Sequence, residues 1–296
     1  MSIQKRSLLS IASAAATVLA ATPARADWSL LNMTPGVTNL SREIYGLHML
    51  ILWVCVAIGA VVFSAMIYSL VKYRKSQGAV PDTSILHSDK VEFVWTIIPV
   101  FILVAMAVPA ARTLLKIEDM TGSQLTVKVT GYQWQWRYDY LDAGVGFYSR
   151  LARSSDEARQ LRSGVEPTSV DHYLLDVDNP LVVPEDTKIR LLLTANDVIH
   201  SWWVPALAVK RDAIPGFVNE LWFQANDPGT YRGQCAELCG RDHGFMPIVV
   251  VVKSKDEYAA WLKTEQAKTR QADATVGTAT AQLHATGGVA ILAQAE

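Results

Sequence analysis

Cysteine and charge are both scarce in this sequence, and each shortage argues against a class of protein. The chain has 3 Cys among 296 residues, too few for a secreted disulfide scaffold, and no Cys-x-x-Cys-His motif for covalent haem attachment. The 27 basic and 28 acidic residues leave a net charge of -1, which argues against a nucleic-acid-binding protein. With 19% charged and 50% hydrophobic residues, the chain is too apolar for an ordinary soluble domain and too polar for a polytopic transporter. A membrane anchor joined to a soluble domain fits this balance, and the sequence shows no internal repeat.

The N-terminus has the features of a bacterial secretory signal. Lys5 and Arg6 precede an apolar stretch over residues 8–21, and a small-x-small cleavage site ends at Ala26. We therefore predict a signal peptide over residues 1–26 and a mature chain that begins outside the cytoplasm. The alternative is a short first transmembrane helix, which the short, Ala- and Ser-rich stretch disfavours.

Two longer apolar segments, residues 48–72 and 91–115, are predicted transmembrane helices. Each has about 24 residues, enough for a helix to cross roughly 30 Å of hydrocarbon. Backbone groups in lipid must be satisfied within the segment, so helix is the expected form. Pro99 and Pro109 lie in the second span, where we expect them to bend or loosen the helix.

Charge predicts that the loop between the spans, residues 73–90, is cytoplasmic. The basic residues in and next to this loop outnumber its two Asp, whereas the segment before the first span, residues 27–47, offers mainly Arg42. The positive-inside rule then places residues 27–47 and the C-terminal domain in the periplasm, in agreement with the signal peptide.

Residues 120–265 have the pattern of an all-β domain. Aromatic residues alternate with polar ones over residues 132–140, which is typical of one half-buried strand. Turn signals separate several further short runs, which favours a sandwich or barrel. We predict these further strands at residues 187–194, 220–223 and 247–252.

Three segments depart from the β pattern. The polar insert at residues 142–170 is predicted to be a surface loop with one short helix at 155–161. A short amphipathic helix is predicted over residues 255–266. The tail at residues 266–296 is rich in Ala, Thr and Gln without an apolar period, so we predict that it is disordered.

A cluster of soft donors carries the chemistry. Cys235, Cys239, His243 and Met246 lie within twelve residues, and His200 follows the predicted strand at 187–194. Thiolate, imidazole and thioether suit copper better than calcium or magnesium, and a thioether is typical of copper electron-transfer sites rather than of zinc, the main competitor. A second thiolate four residues from the first allows both sulfurs to bridge two metal ions.

Each donor also has a less specific interpretation. Cys235 and Cys239 could form a disulfide, since the predicted compartment is oxidising and the separation permits it. His200 alone would more often be a structural histidine, and Met246 alone would more often be part of the core. The joint pattern favours a metal site.

The longer motifs resemble those of a known family. Cys-x3-Cys-x3-His-x2-Met and an upstream His-Ser-Trp-Trp-Val-Pro, together with three further segments, resemble subunit II of cytochrome c oxidase over nearly the whole mature chain. The further segments are Gly131-Tyr-Gln-Trp-Gln-Trp, Asp212-Ala-Ile-Pro-Gly and Pro228-Gly-Thr-Tyr-Arg-Gly-Gln-Cys. The resemblance implies a two-helix transmembrane hairpin and an all-β, cupredoxin-like Greek-key barrel domain that holds a binuclear copper (CuA) centre.

The resemblance also implies the ligands of this centre. Cys235 and Cys239 bridge both coppers, one imidazole binds each copper, and Met246 and the backbone carbonyl of Glu237 are weak ligands. The imidazoles are those of His200 and His243. The Glu237 side chain is implied to share a magnesium ion with subunit I, a hard cation that suits a carboxylate.

Four further residues receive roles from the resemblance. Trp134 matches the tryptophan through which electrons enter, with core packing as the alternative, which we prefer for Trp136 and Tyr138. Asp178 and Asp197 match the acidic face that docks cytochrome c, and their alternative is ordinary surface charge. Glu92 resembles a glutamate at the mouth of a proton path, and its alternative is an anchor at the end of a span.

The implied function is that of the copper-bearing subunit of a proton-pumping, aa3-type-like oxidase in the bacterial inner membrane. Electrons pass from cytochrome c to the CuA centre and on to haem in subunit I, where oxygen is reduced; subunit III is a further expected partner. Two alternatives remain: a quinol-oxidase subunit without copper, which the intact donor set disfavours, and a membrane-tethered copper carrier, which would favour donors on mobile segments.

Overall fold

The computed structural model describes the backbone of residues 31–80, 84 and 87–285. The predicted signal peptide at residues 1–26 lies outside the described residues. The chain divides after Thr34, and every element below belongs to the unit that begins at Pro35.

Two helices, α1 (Asn39–Lys72) and α2 (Asp89–Ile117), are long and apolar enough to cross a membrane. Helix α1 begins nine residues before the predicted span, because the Thr38 and Ser41 side chains form a capping box that starts the helix in a polar segment. Helix α2 includes both Pro99 and Pro109. The two spans predicted from hydropathy therefore lie within two longer helices.

The described part of the C-terminal half has ten strands in two five-stranded sheets, ordered β3-β2-β1-β5-β8 and β4-β10-β9-β6-β7. The strands are β1 (Leu125–Tyr132), β2 (Gln135–Tyr140), β3 (Val145–Ser149), β4 (Leu181–Pro184), β5 (Ile189–Ala195), β6 (His200–Val204), β7 (Val209–Ala213), β8 (Asn219–Phe223), β9 (Gly229–Cys235) and β10 (Pro247–Lys253). The strands predicted near β5, β8 and β10 lie within two residues of their observed bounds.

The single aromatic strand predicted over residues 132–140 is wrong, because the chain reverses at Gln133 and Trp134. Strands β1 and β2 pair antiparallel with Tyr132 opposite Gln135. The reversal contains no Gly, Pro, Asn or Asp, so the alternation of aromatic and polar residues continues through it without a turn signal. Trp134 therefore lies in the turn rather than on the strand face.

The core lies between the sheets and holds large aromatic side chains. Trp136, Tyr138 and Trp202 are fully buried, and the Trp202 indole N–H donates to the Tyr138 hydroxyl over 3.3 Å. The Tyr140 hydroxyl donates to the Val182 carbonyl over 2.7 Å and accepts from the Val182 N–H over 3.0 Å. The core-packing interpretation of Trp136 and Tyr138 agrees with this burial.

The insert and the tail are more regular than predicted. Residues 145–149 of the insert form β3, which pairs with β2, and its helix α3 covers Arg153–Ala158 rather than 155–161. Helix α4 covers Lys255–Ala285, so the expectation of disorder from residue 266 does not agree with the structure up to residue 285. Six Ala and three Gln among residues 266–285 favour helix whether or not an apolar period is present, which is one physical reason for the difference.

The β domain is attached to the start of α1 and to the end of α2. Thr38, just before α1, pairs with Ala225, and Arg42 forms an ion pair of 2.7 Å with Asp227. At the end of α2, the carbonyl of Lys116 accepts from the Trp222 indole N–H over 3.1 Å. The loop between the helices lies at their opposite ends, so the helices can cross a membrane with the β domain on one side.

Candidate metal centre

The pairing of two strands brings the first two donors together. His200 begins β6 and Cys235 ends β9, and these strands are antiparallel neighbours with Trp202 opposite Cys235. The chain then forms a loop that returns at Met246 to start β10, which pairs with β9. We call residues 236–246 the ligand loop. The strand register therefore places an upstream histidine beside a cysteine that is 35 residues away in sequence.

The donor atoms form a continuous series of contacts. Cys235 Sγ lies 3.9 Å from His200 Nδ1 and 3.9 Å from Cys239 Sγ. Cys239 Sγ lies 3.5 Å from both His243 Nδ1 and Met246 Sδ. All five sequence-predicted side-chain donors are thus brought together, with the two sulfurs of the cysteines in the middle.

The spacing of the sulfurs fits a shared metal ion and not a disulfide. A disulfide bond is about 2.05 Å long, whereas Cys235 Sγ and Cys239 Sγ are 3.9 Å apart. Donors at about 2.3 Å from one tetrahedral ion stand about 3.8 Å apart. Ligand atoms of His200, Cys235 and Cys239 all lie within 4.8 Å of one another, and all three residues are buried. This buried cluster of His and Cys is consistent with a copper site.

Asp197 orients the imidazole of His200. Its Oδ1 lies 2.9 Å from His200 Nε2, and its Oδ2 accepts a hydrogen bond of 2.7 Å from the N–H of Gln133. Because an ionised carboxylate only accepts, Nε2 carries a proton, which leaves Nδ1 as the nitrogen available to a metal. A side chain at Gly131 would clash with the His200 ring, since an added Cβ would lie 2.8 Å from it.

The two thiols differ in acidity. Burial raises the pKa of the Cys235 thiol, but hydrogen bonds with His200 and with backbone groups outweigh it, and the pKa lies below its ordinary value. Burial and the neighbouring Cys235 raise the pKa of Cys239 to about 12. Burial lowers the pKa of His200, yet contacts with Cys235 and Asp197 prevail and raise it. Cys235 is therefore the more acidic of the two thiols, and a bound cation would favour ionisation of both.

Glu237 lies next to the donor cluster through its backbone. Its carbonyl oxygen lies 3.3 Å from Cys235 Sγ, within reach of the same centre. The residue is exposed, so its carboxylate is accessible from outside the donor cluster.

Trp134 makes direct contact with the ligand loop. Its indole N–H donates to the Cys239 carbonyl over 3.2 Å, and the Gln133 side-chain amide donates to the same oxygen over 2.8 Å. The indole is half-buried, with the guanidinium of Arg241 5.5 Å from the ring centroid. By contrast, Trp136 is fully buried and donates to the Met246 carbonyl over 3.3 Å, a structural contact.

The remaining predicted residues lie apart from the donors, except Asp197. Asp178 is exposed and accepts from the N–H of Arg150 over 2.7 Å. Glu92 lies in the first turn of α2, where its Oε1 is 3.4 Å from the N–H of Ser88, a contact typical of helix capping. Nothing in the described chain connects Glu92 with the donor cluster.

Two contacts of the site were not predicted. The Gln133 side chain donates to the Cys239 carbonyl and so supports the loop. Its place in the Gly131-Tyr-Gln-Trp-Gln-Trp motif is the one sequence signal that could have identified it as a site residue. Arg159, in the insert, contacts the Phe245 ring and pairs with Asp242 in the ligand loop. No sequence signal marks Arg159, because the contact depends on how the insert folds.

Comparison with protein families gives two matches that together cover most of the chain. The family described as "Cytochrome C oxidase subunit II, periplasmic domain" matches residues 125–253, and "Cytochrome C oxidase subunit II, transmembrane domain" matches residues 26–113. These matches confirm the predicted fold class, a pair of transmembrane helices with a cupredoxin-like β domain.

Individual relatives cover most of the chain. Cytochrome c oxidase subunit 2 of Cereibacter sphaeroides is 37% identical over 283 residues, 88% of this chain and 91% of that protein. The probable cytochrome c oxidase subunit 2 of Rickettsia bellii is 39% identical over 236 residues, 79% of this chain and 84% of that protein. A crystal structure of the periplasmic domain of subunit II of cytochrome oxidase from Bradyrhizobium japonicum has 43% identity and a TM-score of 0.43, and the match covers 51% of this chain and 99% of that one. The chain therefore belongs to the cytochrome c oxidase subunit II family.

Proposed function

We propose that the chain carries single electrons from cytochrome c to subunit I of its oxidase, and that a binuclear copper centre held by the donor cluster is the carrying group. The observation that supports this most is the series of contacts from His200 through Cys235 and Cys239 to His243 and Met246, each of 3.5 to 3.9 Å. As a member of this family, the chain is a membrane-bound subunit of a haem-copper oxidase.

The arrangement of donors favours two ions over one. The two sulfurs lie in the centre, His200 lies on the Cys235 side, and His243 lies on the Cys239 side. One group of ligand atoms lies within 4.8 Å of one another. It contains those of His200 and both cysteines but not that of His243. A single tetrahedral ion would require all its donors to be mutually close, whereas two ions bridged by the thiolates can each take one imidazole.

The thioether argues against zinc. Met246 is 1% exposed, and its sulfur faces Cys239 Sγ. A buried thioether beside thiolate and imidazole is the donor set of copper electron-transfer sites. When bound, the copper pair supplies one-electron redox chemistry, and the chain's own residues orient the donors, exclude water and protect the centre.

Electron entry through Trp134 is part of the proposal. The half-buried indole reaches the surface at one edge and bonds to the carbonyl of a bridging-thiolate residue, Cys239, at the other. Exposed Asp178, and Asp197 beside the same turn, would steer a basic cytochrome c by increasing its association rate.

The remaining assignments complete the proposal. The Glu237 carboxylate, which is exposed, would share a magnesium ion with subunit I, and Glu92 would stand at the entrance of a proton path. Residues 27–47 and the copper domain would be periplasmic, and residues 73–90 cytoplasmic, in a bacterial inner membrane. Subunits I and III, the latter by resemblance, are the proposed membrane partners.

Burial of the donors argues against a copper carrier. His200, Cys235, Cys239 and Met246 are all buried, whereas a protein that hands copper to a partner must expose its donors. A copper-free subunit of a quinol oxidase would have no reason to keep five such donors in contact, four of them buried.

The test is the spectrum of the full chain, purified in detergent and loaded with copper. We expect the absorption and electron paramagnetic resonance signals of a mixed-valence copper pair. Cys235→Ser and Cys239→Ser should abolish this spectrum, while Cys55→Ser, which changes the exposed third cysteine on α1, should retain it. A single-copper signal, or none, in the unchanged chain would refute the proposal.

A further inference from the structure

One side chain of the insert reaches the part of the ligand loop that carries His243. Arg159 follows α3, and its Cζ lies 4.4 Å from the centroid of the Phe245 ring. Its Nη1 lies 3.9 Å from Asp242 Oδ1. We propose that Arg159 is a positioning residue of the metal centre, which holds the turn from Asp242 to Phe245 and thereby His243 in place beside Cys239. This inference deepens the proposed function and rests on it for the role of His243 as a ligand.

The ligand loop has few backbone bonds of its own in this region. The His243 N–H donates to the Gly240 carbonyl over 3.3 Å, and the Phe245 N–H donates to the Asp242 carbonyl over 2.9 Å. Gly240, Arg241 and Gly244 are exposed. A short, exposed turn with two such bonds and two glycines is held only weakly by its own backbone, so side-chain contacts from outside can add to its stability.

The two ends of the loop already have supports. Gln133 and Trp134 bond to the carbonyl of Cys239, and Trp136 bonds to the carbonyl of Met246. Between these supports lie residues 240–245, which include His243. Arg159 contacts this middle part from the insert. It pairs with Asp242, one residue before His243, and stacks on Phe245, two residues after it.

Asp242 needs a cation. Its side chain is only 16% exposed, and a carboxylate so far from water is costly unless it is paired. Arg241 also approaches it, at 3.3 Å, but the Arg241 side chain is 82% exposed and belongs to the same turn. Arg159 is 25% exposed and comes from the insert, so its contact ties Asp242 to a separate element of the domain.

Hydrogen bonds within the insert fix the position of Arg159. Asp156 accepts from Arg159 Nε over 2.7 Å, which fixes the guanidinium from its own helix. Ser155, which is fully buried, accepts from the N–H of Leu174 over 3.0 Å and ties α3 to the chain that follows the insert. The planar guanidinium can then stack on Phe245 and face Asp242 at once, which an ammonium cannot do.

The test compares Arg159→Gln with Arg153→Gln in the full chain purified in detergent. Arg153 lies on the same helix, pairs with Glu157, and has a side chain that is 92% exposed, so it is a matched control. In the metal-free chain, we expect Arg159→Gln to speed hydrogen exchange of the amides of residues 240–246 by about tenfold, as for loss of one partly buried ion pair and one cation–π contact. Arg153→Gln should leave this exchange unchanged.

A second arm uses copper. Arg159→Gln should release copper to a chelator faster than the unchanged chain and should shift the hyperfine pattern of its resonance spectrum, with Arg159→Lys intermediate because it keeps the charge and loses the stacking. Exchange equal to that of Arg153→Gln would overturn the inference. If Arg159→Gln does not fold, Phe245→Leu removes the ring contact alone, and unchanged exchange in that variant overturns it equally. Because the exchange arm contains no copper, its outcome is independent of whether the two-copper spectrum appears.

Discussion

The contact between Asp197 and His200 allows a quantitative test of how the ligand shell is held. Replacing Asp197 by Asn keeps the size of the side chain but turns one acceptor oxygen into a donor. The carboxylate now accepts at Oδ1 from His200 and the N–H of Val198, and at Oδ2 from the N–H of Gln133. An amide can serve only one of these sides, so either the imidazole or the Trp134 turn loses its partner.

The size of the effect follows from the kind of bond. A hydrogen bond to a charged group contributes about 1.5–3 kcal/mol, and loss of a partner behind a metal-binding histidine weakens binding about 10- to 100-fold. Since Asn can still accept on one side, we expect copper affinity to fall by about tenfold, or about 1.4 kcal/mol. Titration of the copper-loaded full chain with a chelator measures this shift.

Asp178→Asn is the matched variant for this test, because Asp178 is exposed and its bond goes to the backbone of Arg150 rather than to a donor. Its copper affinity should not change. If both variants release copper alike, Asp197 does not hold His200, and the two aspartates act only as surface charges.

Three further outcomes are expected. Trp134→Phe removes the bond to the Cys239 carbonyl and should slow electron entry from cytochrome c without loss of copper; unchanged transient reduction kinetics would contradict the proposed entry. Neutralising Asp178 and Asp197 together should raise the KM for cytochrome c at low salt and have little effect at high salt, because salt screens the electrostatic steering. An unchanged KM at low salt would show that the two carboxylates do not take part in docking. Tyr140→Phe leaves the N–H and carbonyl of Val182 without the hydroxyl that bonds to both and should lower the free energy of unfolding by about 2 kcal/mol in denaturant titrations; an unaltered midpoint would show that water replaces it.

Much of the fold could be predicted because local patterns dictate it. Hydropathy alone located both long helices, and alternation located strands such as β5 and β10, since one face of each must be buried. The limits of these predictions have physical causes. Helix α1 starts early because of the capping box at Thr38, and hydropathy does not register caps.

The errors arose where a pattern was compatible with two conformations. Alternating aromatic and polar residues continue through the reversal at Gln133 and Trp134, so one strand and a hairpin have the same appearance in sequence. The composition after residue 266 lacks an apolar period, which suggested disorder, yet its Ala and Gln residues favour helix and the structure continues α4 to Ala285.

The donor residues could be predicted from sequence, but the contacts that hold them could not. His200, Cys235 and Met246 belong to motifs whose chemistry is readable from residue type. The partners that fix them, Asp197 and Arg159, are ordinary charged residues whose positions depend on the folded chain. Asp197 was predicted only as a docking residue, and in the structure its carboxylate contacts the His200 imidazole.

The two halves of the donor cluster are held in physically different ways. On one side, His200 and Cys235 lie on neighbouring strands, so the sheet register sets the distance between their backbones. On the other side, His243 lies in a loop held through side-chain contacts from a turn, a strand and the insert. Strand positions change little between states, whereas a loop can adjust to its ligand. The strands therefore fix the positions of His200 and Cys235, and the loop adjusts the position of His243 relative to them. Changes in the insert should alter the His243 side of the centre while leaving the His200 side intact.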